Sequence, residues 1–185
     1  MEVREAIERR RAYRSLDPAQ ISEELIRDLA ECASLAPSCF NNQPWRFVFV
    51  RDPDVLKEMH GALTKDNDWI TDASMIIAVF SRKEDDCVIR DREYHLFDVG
   101  MATAFIILRA TELGLVAHPV AGFSPRKVRA TLGIPKDYQV ITLVNVGKHA
   151  ETLHDKLTEE QKATEGERPE RLSFEKYAYI DRYEN

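Results

Sequence analysis

The 185-residue chain contains only seven glycines, at positions 61, 100, 114, 122, 133, 147 and 166. No two lie closer than eight positions, so neither G-x-G-x-x-G nor G-x-x-x-x-G-K-[ST] can be written from them. Both motifs need glycine so that backbone can approach a phosphate, and their absence excludes dinucleotide-type and P-loop sites. Any phosphate held by this chain must be held by side chains. Long apolar runs are also missing: the longest, Met75 to Phe80, falls far short of the roughly 20 residues a membrane helix needs. The three cysteines, Cys32, Cys39 and Cys87, form no C-x-x-C or Cys/His cluster, so reduced thiols and no metal site are expected. The start of the sequence carries no secretory segment, and a cytoplasmic location with no membrane partner is expected. Positive charge is in deficit, with 26 Lys and Arg against 32 Asp and Glu, which argues against a nucleic-acid partner.

Catalytic signatures are missing as well. There is no G-x-S-x-G elbow, no H-E-x-x-H and no paired-carboxylate pattern. His118 has no Asp or Ser placed beside it as in a triad, and His60, His95, His149 and His154 are likewise read as solitary. No side chain is nominated as catalytic, and this lack points to a bound cofactor that carries the reaction.

The chain does have material for a core, at 44% hydrophobic, and its length suits one domain spanning 1–185. Helices are expected over 2–11, from Ser22 to before Pro37, 54–63, 93–113 and 125–132. Strands are expected at 47–50, 75–80, 115–120 and 139–146. Their irregular interleaving gives an α+β class, a mixed α/β layer. Residues 148–170 read as a charged, solvated or mobile arm. Residues 171–185 restore hydrophobicity through Phe174, Tyr177, Tyr179, Ile180 and Tyr183, and read as a docking segment.

Three constellations carry chemistry. Four of the six residues 9–14 are arginine, a local reversal of sign in an acidic chain. Such a cluster suits either a solvated helix end or an anion cradle, because the guanidinium fork pairs two-point with phosphate or carboxylate. Between Ala36 and Trp45, Ser38, Asn41, Asn42 and Gln43 lie between Pro37 and Pro44. This is either a polar connection or a stiff loop whose amides face a planar polar ligand edge. The third, His118 to Phe123, follows a strand, and Gly122 would let backbone lie flat against a ligand. His118 reads as a structural histidine, and Asp98, inside a long helix, as a structural or interface hydrogen-bonder.

These segments, in this order, resemble the nitroreductase family of FMN-dependent oxidoreductases. The resemblance runs through R-R-x-x-R (Arg10, Arg11, Arg14), A-P-S-x-x-N-x-Q-P-W (Ala36 to Trp45) and Asp72-Ala73. It continues through D-x-G-x-A leading to E-L-G-L (Asp98 to Leu115) and P-V-x-G-F (Pro119 to Phe123), and ends near Arg171. It implies a central mixed β-sheet flanked by helices, with FMN at the interface of a homodimer and a C-terminal arm reaching the partner subunit. It also implies NAD(P)H as co-substrate, and a ping-pong reaction through FMN to a small acceptor such as a nitroaromatic or a quinone. Arg10, Arg11 and Arg171 would contact the phosphate or ribityl chain, with Ala12 in the same segment, and Arg14 would sit near the pyrimidine edge. Pro37, Ser38, Cys39 and Asn41 would contact the flavin from the other subunit, with Gln43 bracing that loop. Pro119, Val120, Ala121 and Gly122 would run beside the isoalloxazine, with an Ala121 or Gly122 amide near N5. Ala12 and Cys39 stand where the family commonly has Ser, and Ala121 where some members have Glu. Relatives with other flavin chemistry (dehydrogenase, dehalogenase or flavin-cleaving), a flavin- or anion-binding protein without turnover, and a non-flavin interaction module are the other readings.

Overall fold

In the computed structural model, which describes residues 1–183, the apolar run at 75–80 lies in the middle of a sheet. The chain forms α1 (Val3–Arg9), β1 (Leu16–Asp17), α2 (Glu23–Ser34), β2 (Arg46–Val50), α3 (Pro53–His60) and β3 (Met75–Ser81). It continues as β4 (Val88–Ile89), β5 (Arg92–Glu93), α4 (His95–Glu112), β6 (Val116–Val120), α5 (Pro125–Leu132), β7 (Gln139–His149) and α6 (Glu159–Gly166). Every residue of β3 is buried, and its side chains divide with the two-residue period of a strand. Ile76, Ala78 and Phe80 join Met59, Trp69 and Ile70 in one apolar cluster. Met75, Ile77 and Val79 join Leu29, Val99 and Ile106 of α2 and α4 in the other. A strand covered on both faces must be apolar at consecutive positions, which is why this run shows no alternation.

The helix-and-sheet class is as expected, but the strand directions are not mixed. Among the described residues every strand pair is antiparallel. The 11-residue β7 decides this: it seats β3 along 139–146 and β6 along 143–147, both running against it, and its last two residues pair with β1.

Local signals set the helix ends. Ser22 Oγ accepts from Leu25 N at 3.1 Å at the start of α2. Ser124 Oγ accepts from Lys127 N at 3.4 Å on α5, which stops at Gly133 in the left-handed region (φ +66°). The first helix ends two residues early, at Arg9. Arg10 turns to φ −54°, ψ 120°, so Arg10, Arg11 and Arg14 lie on the non-helical segment feeding β1 rather than on a helix.

The charged stretch 148–170 is not a free arm. β7 extends to His149, and Ala150, Leu157 and Glu165 are buried. Asp72 draws the segment in through His154 (3.3 Å) and Lys156, and Gln161 Nε2 reaches Asp66 O at 2.9 Å. Composition marked this stretch as polar, and several of its polar groups bond the body of the protein. Beyond it, Phe174, Tyr177, Tyr179, Ile180 and Tyr183 are exposed; Glu184 and Asn185 of the expected docking segment lie outside the described residues. The cysteines depart from expectation too. Cys39 and Cys87 form a disulfide with Cα atoms 6.2 Å apart, and Cys32 is free. A separation of 48 residues carries no pairing signal; the fold brings the two together.

Candidate functional site

A cavity of ≈ 190 Å³ is lined by Arg10, Arg11, Ala12, Arg14 and Arg171 together with Thr164, Arg168 and Pro169. The first five are residues that the family resemblance assigns to the cofactor, brought together from opposite ends of the chain. Burial pushes the Arg10 pKa down, and Arg168, Arg171 and Arg11 push it further the same way. Guanidiniums crowded so closely raise a positive potential that an anion relieves.

The segment between the arginines is clamped from both sides. Arg11 Nη2 donates to the carbonyls of Glu165 at 3.1 Å and Glu167 at 2.8 Å, at the C-terminal end of α6, where a helix favours cations. Glu165 Oε1 accepts from Arg14 N and Ser15 N, both at 2.8 Å. Arg168 Nη2 donates to Arg10 O at 2.8 Å. From the sheet side His118 Nδ1 meets Tyr13 O at 3.0 Å. Burial brings the His118 pKa down to about 4, the Tyr13 carbonyl pulling up and Arg14 pushing down. The ring is therefore neutral near pH 7 and donates Nδ1–H to the carbonyl. His118 is structural, as expected. Glu165 and Arg168 gave no signal in the sequence, where they were two more charges in a charged stretch.

The segment 119–122 leaves β6 beside this region. Gly122 O accepts from Thr64 N (3.1 Å), Thr64 Oγ1 (3.0 Å) and Asn67 Nδ2 (3.0 Å). No backbone hydrogen bond among the described residues uses the Ala121 or Gly122 N–H. A Cβ on Gly122 would sit on Asn67 Nδ2 and 2.7 Å from Thr64 Oγ1, so any larger residue here must displace those two side chains. Gly122→Ala is expected to displace Asn67 and Thr64 and cost about 1–2 kcal/mol. Urea titration checks this; an unchanged midpoint would show that Asn67 swings away freely.

The loop holding Pro37, Ser38, Cys39, Asn41 and Gln43 lies apart from the arginines, and no hydrogen bond or ion pair among the described residues joins the two. It is anchored instead on the turn before β4 and the first turns of α4. Cys39 N donates to Asp98 Oδ2 at 2.7 Å, Asn42 Nδ2 to Asp86 Oδ1 at 3.3 Å, and Gln43 N to Ser38 Oγ at 3.0 Å. Phe40, Asn41 and Gln43 have φ of 49°, 58° and 50°, a left-handed region that costs side-chain-bearing residues about 1–3 kcal/mol unless the surroundings hold them. Asp98 is buried and accepts from the Cys39 N–H, the hydrogen-bonding role the sequence suggested. Burial pushes its carboxyl up, the Cys39 N–H pulls it back, and Asp86 adds to the rise.

With this geometry established, comparison with known proteins gives a consistent result. The model of the family described as "Nitroreductase family" matches residues 7–66 and 59–148. A protein of Archaeoglobus fulgidus, provisionally named NADH dehydrogenase/NAD(P)H nitroreductase, is 35% identical over 145 residues, covering 75% of this chain and 80% of that protein. An iodotyrosine deiodinase of Haliscomenobacter hydrossis is 28% identical over 173 residues, covering 78% of each chain. A solved oxidoreductase containing FMN superposes with a TM-score of 0.84 at 25% identity, over 97% of this chain and 91% of that one.

Proposed function

The chain belongs to the nitroreductase family, and on that premise we propose that it is an FMN-dependent oxidoreductase. It takes two electrons from NAD(P)H and passes them to a small oxidised acceptor, a nitroaromatic, a quinone or a similar compound, in alternating ping-pong half-reactions. The observation that carries this reading is the convergence of Arg10, Arg11, Arg14 and Arg171 on one cavity in a protein of net charge −6. When bound, FMN supplies the two-electron chemistry at its ring.

The chain's own residues bind and orient. Arg10, Arg11 and Arg171 hold the phosphate or ribityl chain, and Arg14 offers a cation toward the pyrimidine edge. Neutral His118 fixes the Tyr13 carbonyl between the arginines without adding charge. The Ala121 and Gly122 N–H groups, unspent in the backbone bonds of the described residues, would be available to donate to the flavin, beside Pro119 and Val120.

Pro37, Ser38, Cys39 and Asn41, braced by Gln43, complete the site from a second copy of the chain in a homodimer. Three features support the dimer. The loop lies apart from the arginines within one chain; α4 exposes Leu96, Phe97 and Phe105; and the tail aromatics are exposed. Large exposed apolar side chains grouped on one helix and one terminal segment commonly mark an interaction surface. The likeness to a deiodinase makes reductive dehalogenation the second reading.

The test is the visible spectrum of the purified protein, with the released cofactor identified. Anaerobic NADH or NADPH should bleach the flavin band, and a quinone or nitroaromatic should restore it; restoration by an iodotyrosine alone would favour dehalogenation. A colourless protein that takes up no FMN would overturn both.

A further inference from the structure

The disulfide joins Cys39, which the function proposed above places at the flavin, to Cys87, which that function does not use. It links the 37–43 loop to the residue preceding β4, which among the described residues pairs with β5 in a ribbon separate from the main sheet. Asp86 Oδ1, beside it, accepts from Cys87 N at 2.8 Å and from Asn42 Nδ2 at 3.3 Å. The loop it ties carries three non-glycine residues at positive φ, and such conformers persist only where surrounding bonds over-determine them. Both cysteines are partly exposed in the single chain, so a thiolate from solution can approach the pair in the FMN-free protein.

We propose that Cys39 and Cys87 form a reversible thiol–disulfide site, acted on by dithiol reductants, whose oxidation state sets FMN affinity through the 37–43 loop. This rests on the flavin reading above. In the reductive step a reductant thiolate attacks one sulfur, forming a mixed disulfide and releasing the other cysteine. The reductant's second thiol then displaces the first. Two electrons and two protons end on Cys39 and Cys87 as free thiols, and the reductant leaves as its own disulfide. Because binding linkage is reciprocal, FMN must favour the disulfide by the same factor by which the disulfide favours FMN.

The experiment uses full-length protein carrying Cys32→Ser, so that only this pair titrates. Thiol counting should find no free thiol after oxidation and two after reduction. Fluorescence titration of the FMN-free protein should give an affinity about tenfold weaker in the reduced state. Cys87→Ser, which lies outside the proposed flavin contacts, should show the weaker affinity under both conditions. Hydrogen exchange at 37–43 should speed up on reduction, and saturating FMN should shift the equilibrium against a glutathione buffer about tenfold toward the disulfide. Two thiols persisting after oxidation, or equal measurable FMN affinities in the two states, would overturn the coupling alone. Absence of FMN binding in both states would overturn the flavin reading, and the coupling with it.

Discussion

Glu165→Ala is expected to lower stability by about 2–4 kcal/mol and to weaken FMN binding with it. One side-chain oxygen accepts from two successive backbone donors, Arg14 N and Ser15 N, each at 2.8 Å. Ser15 is fully buried, so truncation leaves a donor without solvent as a substitute partner. The loss falls on the segment that aims Arg14 into the cavity, and stability and binding should decline together. Glu165→Gln keeps an acceptor at the same place and should recover most of the stability in a denaturant titration. Equal loss in both variants would assign the role to charge among the arginines instead of to the two hydrogen bonds.

Acidification should destabilise the protein through His118. Its pKa is about 4 in the folded state, against an ordinary value of 6.5. Between those values the unfolded chain binds a proton that the folded site refuses, so stability falls as pH falls. The contribution is complete above pH 6.5 and is lost progressively down to about 4. Across that window it amounts to about 3 kcal/mol. Burial is the main cause, and protonation would also add a cation close to Arg14 and Arg10. His118→Asn keeps a donor for the Tyr13 carbonyl and removes the titration, so unfolding free energy should lose this slope between pH 6.5 and 4. An unaltered slope would assign the acid sensitivity to other groups.

Much of the fold was legible in the residues, and the reasons are local. Ser22, Ser124 and Gly133 cap helices through bonds to neighbours a few positions away, so sequence order is spatial order there. The two-sided burial of β3 could be read from its unbroken apolar run, because only a strand covered on both faces tolerates one. Asp98 and His118 also behave as read, since a lone polar group in an apolar stretch must find a backbone partner. The antiparallel sheet could not be read this way, because strand direction depends on how 11 residues of β7 are shared between β3 and β6. The stretch 148–170 misled for a related reason: its side chains and carbonyls bond to Asp72, the Asp66 carbonyl, Arg11 and Arg14, all far away in sequence.

The sequence by itself determined that neither glycine-rich phosphate motif is present, because the seven glycines lie too far apart to write one. It also singled out the arginine cluster as a candidate anion cradle. Only the tertiary structure decided how the arginines are placed. Arg10, Arg11 and Arg14 sit on an extended segment instead of a helix end, clamped by Glu165 and His118 and completed by Arg168 and Arg171. The disulfide between Cys39 and Cys87 was decided there too. The physical reason is the same in each case. Capping, periodicity and glycine spacing act over a few residues, whereas convergence of charges and thiols is set by the packing of elements that are distant in the chain.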